Sequence, residues 1–141
     1  MNQNLEVGSR FTLQAVGFSM SPEINPGDLL QVEVIKPDQL HKGDIVLFQK
    51  DDKLIAHRII KTNFAGKIIL EKGDRKFMPY EISLDKIKGK VVSVDRGGSV
   101  KRFSGLRSRF RGYYKASISY YKYKTIIVLS VLKKRILGDD C

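Results

Sequence analysis

The chain has 141 residues, 42% of them hydrophobic, a net charge of +11 and one cysteine. That length supports one domain with a core of its own, without disulfides or a structural metal. Cys141 stands alone at the last position, which excludes an intrachain disulfide and a prenylation box and leaves it read as a free thiol.

Residues 1–10 contain no apolar run of the kind found in a secretory signal or a membrane span. From residue 11 to 95, short segments rich in valine and isoleucine alternate with turn signals. They predict strands at 11–16, 29–35, 45–49, 54–60, 67–71 and 90–95, hence a mainly β, antiparallel domain. In residues 30–34 the alternation is clearest, with Leu30, Val32 and Val34 on one face and Gln31 and Glu33 on the other.

Gly-Asp pairs at 27–28, 43–44 and 73–74 predict tight turns, in which glycine supplies positive φ and aspartate caps nearby amides. Ser19 lies in another turn, Gly17-Phe18-Ser19-Met20-Ser21-Pro22. His57 follows the apolar run Leu54-Ile55-Ala56, with Lys53 four residues earlier on the same strand face as a weaker alternative base. His41, between Leu40 and Lys42, reads as solvated. Two scattered histidines offer no metal-ligand spacing, and no glycine-rich loop ends in the Lys-Ser/Thr pair that cradles a phosphate, so neither metal nor cofactor is expected.

Charge is distributed unevenly. Residues 1–96 carry 15 Lys/Arg against 13 Asp/Glu, whereas residues 97–138 carry 11 Lys/Arg and no acid. Composition shifts at Gly97-Gly98, which divides the chain into a body, 1–96, and a basic extension, 97–141. Within the extension Ile118, Tyr121, Val128, Leu129, Leu132 and Ile136 recur at steps that predict an amphipathic helix. Its longest uncharged stretch, 125–132, is far short of the roughly 20 residues needed to span a bilayer. Three readings stay open: a helix packed on the body, an interfacial helix on an anionic membrane surface through residues 101–137, and a nucleic-acid-binding arm. The expected location is cytoplasmic or peripheral at a membrane.

The ordered set Gly-x-Ser-Met-x-Pro (17–22), Pro-Gly-Asp (26–28), Gly-Asp-Ile-Val (43–46), His-Arg (57–58), Lys-Gly-Asp (72–74) and Gly-Lys-Val (89–91) resembles the type I signal peptidase family and its relatives, the self-cleaving repressors. The resemblance covers about residues 11–96. It implies an antiparallel β catalytic domain and a Ser-His-Asp peptidase, with Ser19 as nucleophile, His57 as base and Asp74 as third member. The histidine before Arg58 resembles the endoplasmic-reticulum and archaeal branch, in which a second aspartate commonly follows some residues later; residues 75–81 here have none, and the N-terminal anchor usual in signal peptidases is not seen.

By the same resemblance Gly17 and Met20 border the substrate site, and the substrate is a leader- or signal-like peptide with small residues at the cleavage point. Chemically the set is coherent, because a serine hydroxyl needs a base within hydrogen-bond reach and an imidazole suits that task. The alternative is a noncatalytic or repressor-like module that binds nucleic acid or a membrane partner through its basic tail. No helix-turn-helix segment precedes residue 17, which argues against a repressor.

Overall fold

Four consecutive residues, Ile45-Val46-Leu47-Phe48, are all buried. Successive strand side chains point to opposite faces, so such a run requires cover on both sides and marks the middle of the fold. A computed structural model, which describes residues 5–137, places this strand between two apolar clusters. Ile45 and Leu47 join Met20, Leu30, Val32 and Val91 on one side; Val46 and Phe48 join Leu40, Ile59, Ile69 and Ile82 on the other. Cys141 lies outside the described residues.

The described residues form eight strands: β1 (Arg10–Gln14), β2 (Leu29–Glu33), β3 (Ile45–Lys50), β4 (Lys53–Asn63), β5 (Ile68–Lys72), β6 (Tyr80–Ser83), β7 (Ile87–Arg96) and β8 (Ser99–Arg102). They form one antiparallel sheet in the order β1-β2-β7-β3-β4-β5-β6, with β8 on β7. One edge of β7 follows β2, while the other pairs with β3 as far as Lys90 and with β8 from Ser93 onward. The mainly β, antiparallel fold expected from the sequence is the observed one.

All six predicted strands occur, and the sequence reading missed β6 and β8. Each has only four residues, and β8 is exposed along its whole length, so neither carries a burial pattern long enough to register. In β2 the predicted alternation holds, with Leu30 and Val32 inside. Two of the three Gly-Asp turns follow expectation: Gly27 and Gly43 have φ of 90° and 98°, and Asp28 and Asp44 accept the Asn25 and His41 N–H groups, each at 2.8 Å, whereas Gly73 is not at positive φ and the Asp74 carboxylate bonds Arg58 instead of a nearby amide. Asp28 additionally accepts from Arg96, whose guanidinium holds its carboxyl below the usual range against the opposing effect of burial.

Gly97-Gly98, where the composition shifts, forms the turn between β7 and β8. A long helix, α1 (Leu106–Leu137), follows and packs on β4. Its buried residues are Gly112 and Ala116, so small side chains make the closest contact, with Tyr113 and Tyr120 reaching Lys42 and Lys61 of the body around it. A Cβ on Gly112 would stand 2.7 Å from the Gly43 carbonyl oxygen, and one on Gly43 would stand 2.4 Å from the Gly112 carbonyl carbon. The two backbones touch, and glycine at both positions is what permits it.

Two polar contacts reinforce this junction. The Lys72 ammonium donates to the Ser119 hydroxyl at 3.4 Å; burial pushes the Lys72 pKa down, with Lys122 adding to that and Asp74 opposing it. Glu23, four residues beyond Ser19, accepts from Lys101 on β8 at 2.6 Å and from Lys115 on α1. Burial favours its neutral form, but the two ammonium groups outweigh that and lower its pKa to about 2.

Two outcomes follow from this docking. Gly112→Ala gains about 1 kcal/mol of helix propensity but forces a backbone clash that costs about 1–3 kcal/mol, so net destabilisation and loss of amide protection in α1 are expected by denaturant titration and hydrogen exchange. Because the Glu23 pKa drops from an ordinary 4.5 to about 2 on folding, its contribution is complete above pH 4.5 and fades as the pH falls toward 2. Thermal melts across that window should show a shallower acid loss in Glu23→Gln than in the native protein.

Candidate active site

Ser19 sits in the turn that follows β1, and this turn is held by its neighbours on both sides. The Ser19 carbonyl accepts from the Arg75 N–H at 2.9 Å, and the Met20 carbonyl accepts from the Ile24 N–H at 3.0 Å. Met20 is buried with Ala15, Leu30 and Leu47, and its sulfur accepts from the Asp74 N–H at 3.3 Å. Gly17, at φ 85°, turns the chain before the serine in a conformation that disfavours residues with a Cβ.

His57 is carried on β4 opposite Val46, with its ring edge-on to Phe48 at 5.8 Å between centroids. Both ring nitrogens are engaged. Nε2 lies 3.1 Å from the Ser19 Oγ, and Nδ1 lies 2.5 Å from the Glu71 Oε2. The Glu71 side chain is only 2% exposed and that of His57 12%. With the proton on Nδ1 the ring donates to Glu71 and accepts from the serine hydroxyl, the arrangement that acyl transfer to serine requires.

Strand register explains why Glu71 is the partner. Ile59 lies directly opposite Glu71, so His57, two residues earlier, shares its face as a diagonal neighbour within reach of a long side chain. Arg58 points to the other face, opposite Lys72. There its Nε and Nη2 donate to the two carboxylate oxygens of Asp74, each at 2.8 Å, and its Nη1 donates to the Gly43 carbonyl at 2.9 Å.

The expectation that Asp74 bonds His57 is therefore corrected: Asp74 is occupied by Arg58, and the carboxylate on the imidazole is Glu71. Period-two alternation is the signal that could have found it: beside the Ile59–Glu71 pair residues 57, 59 and 71 share a face, a parity that ends at the bulge before Lys61. Asp74 instead anchors the Arg58 guanidinium under Gly43, beside the point where α1 docks.

Gly73 completes the packing around the histidine. A Cβ there would stand 3.0 Å from both the His57 Nε2 and the Ser19 carbonyl oxygen, so a side chain would press on the pair from behind. In front, a cleft of about 720 Å³ runs between residues 13–20 and β4. Its floor is apolar, made by Ala15, Met20, Leu30 and Leu47, while Gly17, Phe18 and Leu54 line it further out. Lys53 lines the same cleft, but it is the His57 ring that reaches Ser19. His41 is exposed and 3.9 Å from Asp44, remote from the cleft lining.

A readout independent of activity separates the two carboxylates. The native protein should show a far-downfield proton resonance for the His57 Nδ1–H, retained in Asp74→Asn and absent in Glu71→Gln. Loss in the first and survival in the second would reverse the assignment.

No curated protein matches the chain in a sequence comparison. The family model described as Peptidase S24-like matches residues 3–92, a stretch that contains Ser19, His57, Glu71 and Asp74 and ends within β7, before β8 and α1. Because this match covers well over half of the sequence and includes both strands that carry the Ser-His-Glu arrangement, the chain belongs to the Peptidase S24-like family.

Proposed function

We propose that the protein is a serine endopeptidase that hydrolyses peptide bonds in leader- or signal-like segments with small residues at the cleavage point. The observation that carries this reading is the doubly engaged imidazole: His57 bridges the Ser19 hydroxyl and a buried carboxylate within one apolar cleft. In the reaction the His57 Nε2 takes the Ser19 proton as Oγ attacks the scissile carbonyl. The same nitrogen then delivers that proton to the departing amine, which leaves an acyl-enzyme. Water, deprotonated by His57, hydrolyses the ester and frees Ser19.

Glu71 holds the imidazole in the productive tautomer and stabilises the imidazolium formed in each half-reaction. The Ser19 N–H is the natural donor to the developing oxyanion; Gly17, lacking a hydroxyl, contributes backbone shape only. An extended peptide fits between residues 13–16 and the start of β4, with small side chains suited to the shallow floor over Ala15 and Met20. Processing of membrane-delivered signal peptides is one form of this activity, and self-cleavage, as in the repressor relatives of the resemblance, is another.

Incubating the purified protein with peptides that contain Ala-x-Ala and weighing the products by mass spectrometry tests the reading. Cleavage is expected in the native protein and absent in Ser19→Ala. Glu71→Gln should lower kcat by on the order of 10³-fold or more, with a much smaller effect for Asp74→Asn. Product formation that persists in Ser19→Ala would discard the mechanism.

A further inference from the structure

The helix α1 is 32 residues long, about 48 Å at 1.5 Å per residue, yet its buried residues are confined to its first half. Gly112, Ala116, Ser119 and Tyr123 recur at steps of three and four and turn toward the sheet; from Lys124 to the end every residue is exposed. At 100° per residue the opposite face is formed by Phe110, Tyr114, Tyr121, Val128, Leu132 and Ile136, which are 45–79% exposed. The apolar stripe therefore points away from the domain. Arg111, Lys122 and Lys133 flank it on one side, Lys124 and Arg135 on the other.

We infer that this outward face of α1 docks the protein on an anionic lipid surface. Two features select the occupant. Residues 97–137 contain 11 Lys/Arg and no acid, so the face complements a negative surface and repels a second copy of itself. The outward stripe leaves Val128, Leu132 and Ile136 in water, at a cost that contact with nucleic-acid phosphates would not remove and that the acyl boundary of a membrane does.

Tyrosines along the same face suit the headgroup layer, and lysines at its flanks extend their heads to the phosphates while their stems stay with the apolar stripe. No described helix is long and apolar enough to cross a membrane, in keeping with a helix that lies in the interface plane.

Co-sedimentation of the full chain with vesicles tests the inference. Binding is expected to vesicles of phosphatidylcholine mixed with phosphatidylglycerol and to be weak on phosphatidylcholine alone. Val128→Glu/Leu132→Glu should lower the partition coefficient by about tenfold or more. These positions lie on the face turned away from the domain, and Val128→Gln/Leu132→Gln, which introduces a good helix former, repeats the test without added charge. Binding that both variants retain would mean simple charge attraction and would overturn the inference. So would failure of the native chain to bind the mixed vesicles, or tighter binding to duplex DNA or RNA at the same ionic strength. Ser19→Ala, which abolishes the proposed hydrolysis, should bind vesicles as the native chain does, so the docking and the catalytic reading fail separately.

Discussion

Alternation along β4 governs this molecule. His57 and Arg58 are adjacent and therefore face opposite ways, and each holds its own carboxylate: Glu71 from within β5 for the imidazole, Asp74 from just beyond it for the guanidinium. Exchanging the partners would require one strand to slip by a residue, which would turn either Ile59, on β4, or Ile69, on β5, out of the core. Burial of those two isoleucines thus secures the register on which both polar pairs depend.

On the histidine side the register yields a polar line of three side chains set into apolar surroundings. Phe48 packs edge-on against the ring, Met20 fixes the serine turn in the core, and Gly73 leaves room for both partners. A buried carboxylate with a close imidazole is satisfied only while that geometry persists, so folding and alignment of the site are one event. On the arginine side the same register ties Asp74 and Gly43 together beneath the helix. The Gly43–Gly112 contact and the Glu23 clamp then join α1 to the loop that carries Ser19.

Attachment of α1 through small residues leaves the large residues of its outward face exposed. Amphipathic periodicity shows that a helix has two faces; which face turns inward depends on what the neighbouring backbone can admit. Here Gly43 admits only Gly112, and the apolar stripe is turned outward.

Much of the fold and part of the site could be read from the residues. Strand positions followed from β-branched segments and their turns, because burial pattern and turn chemistry are local. Ser19 and His57 were identified by their motifs, and the structure brings them within 3.1 Å. Glu71 was passed over because the carboxylate of Lys-Gly-Asp is the more visible neighbour in sequence, whereas the choice between 71 and 74 is made by pairing across two strands. Strands β6 and β8 escaped for a related reason: four-residue strands exist only because a partner supplies their hydrogen bonds. By itself, then, the sequence determined the longer strands and the basic helix, which are functions of short-range pattern, and through a resemblance carried by ordered motifs it pointed to Ser19 and His57 as a candidate pair. The carboxylate on the imidazole and the direction of the helical stripe were decided by tertiary structure, because each depends on contacts between segments far apart in the chain.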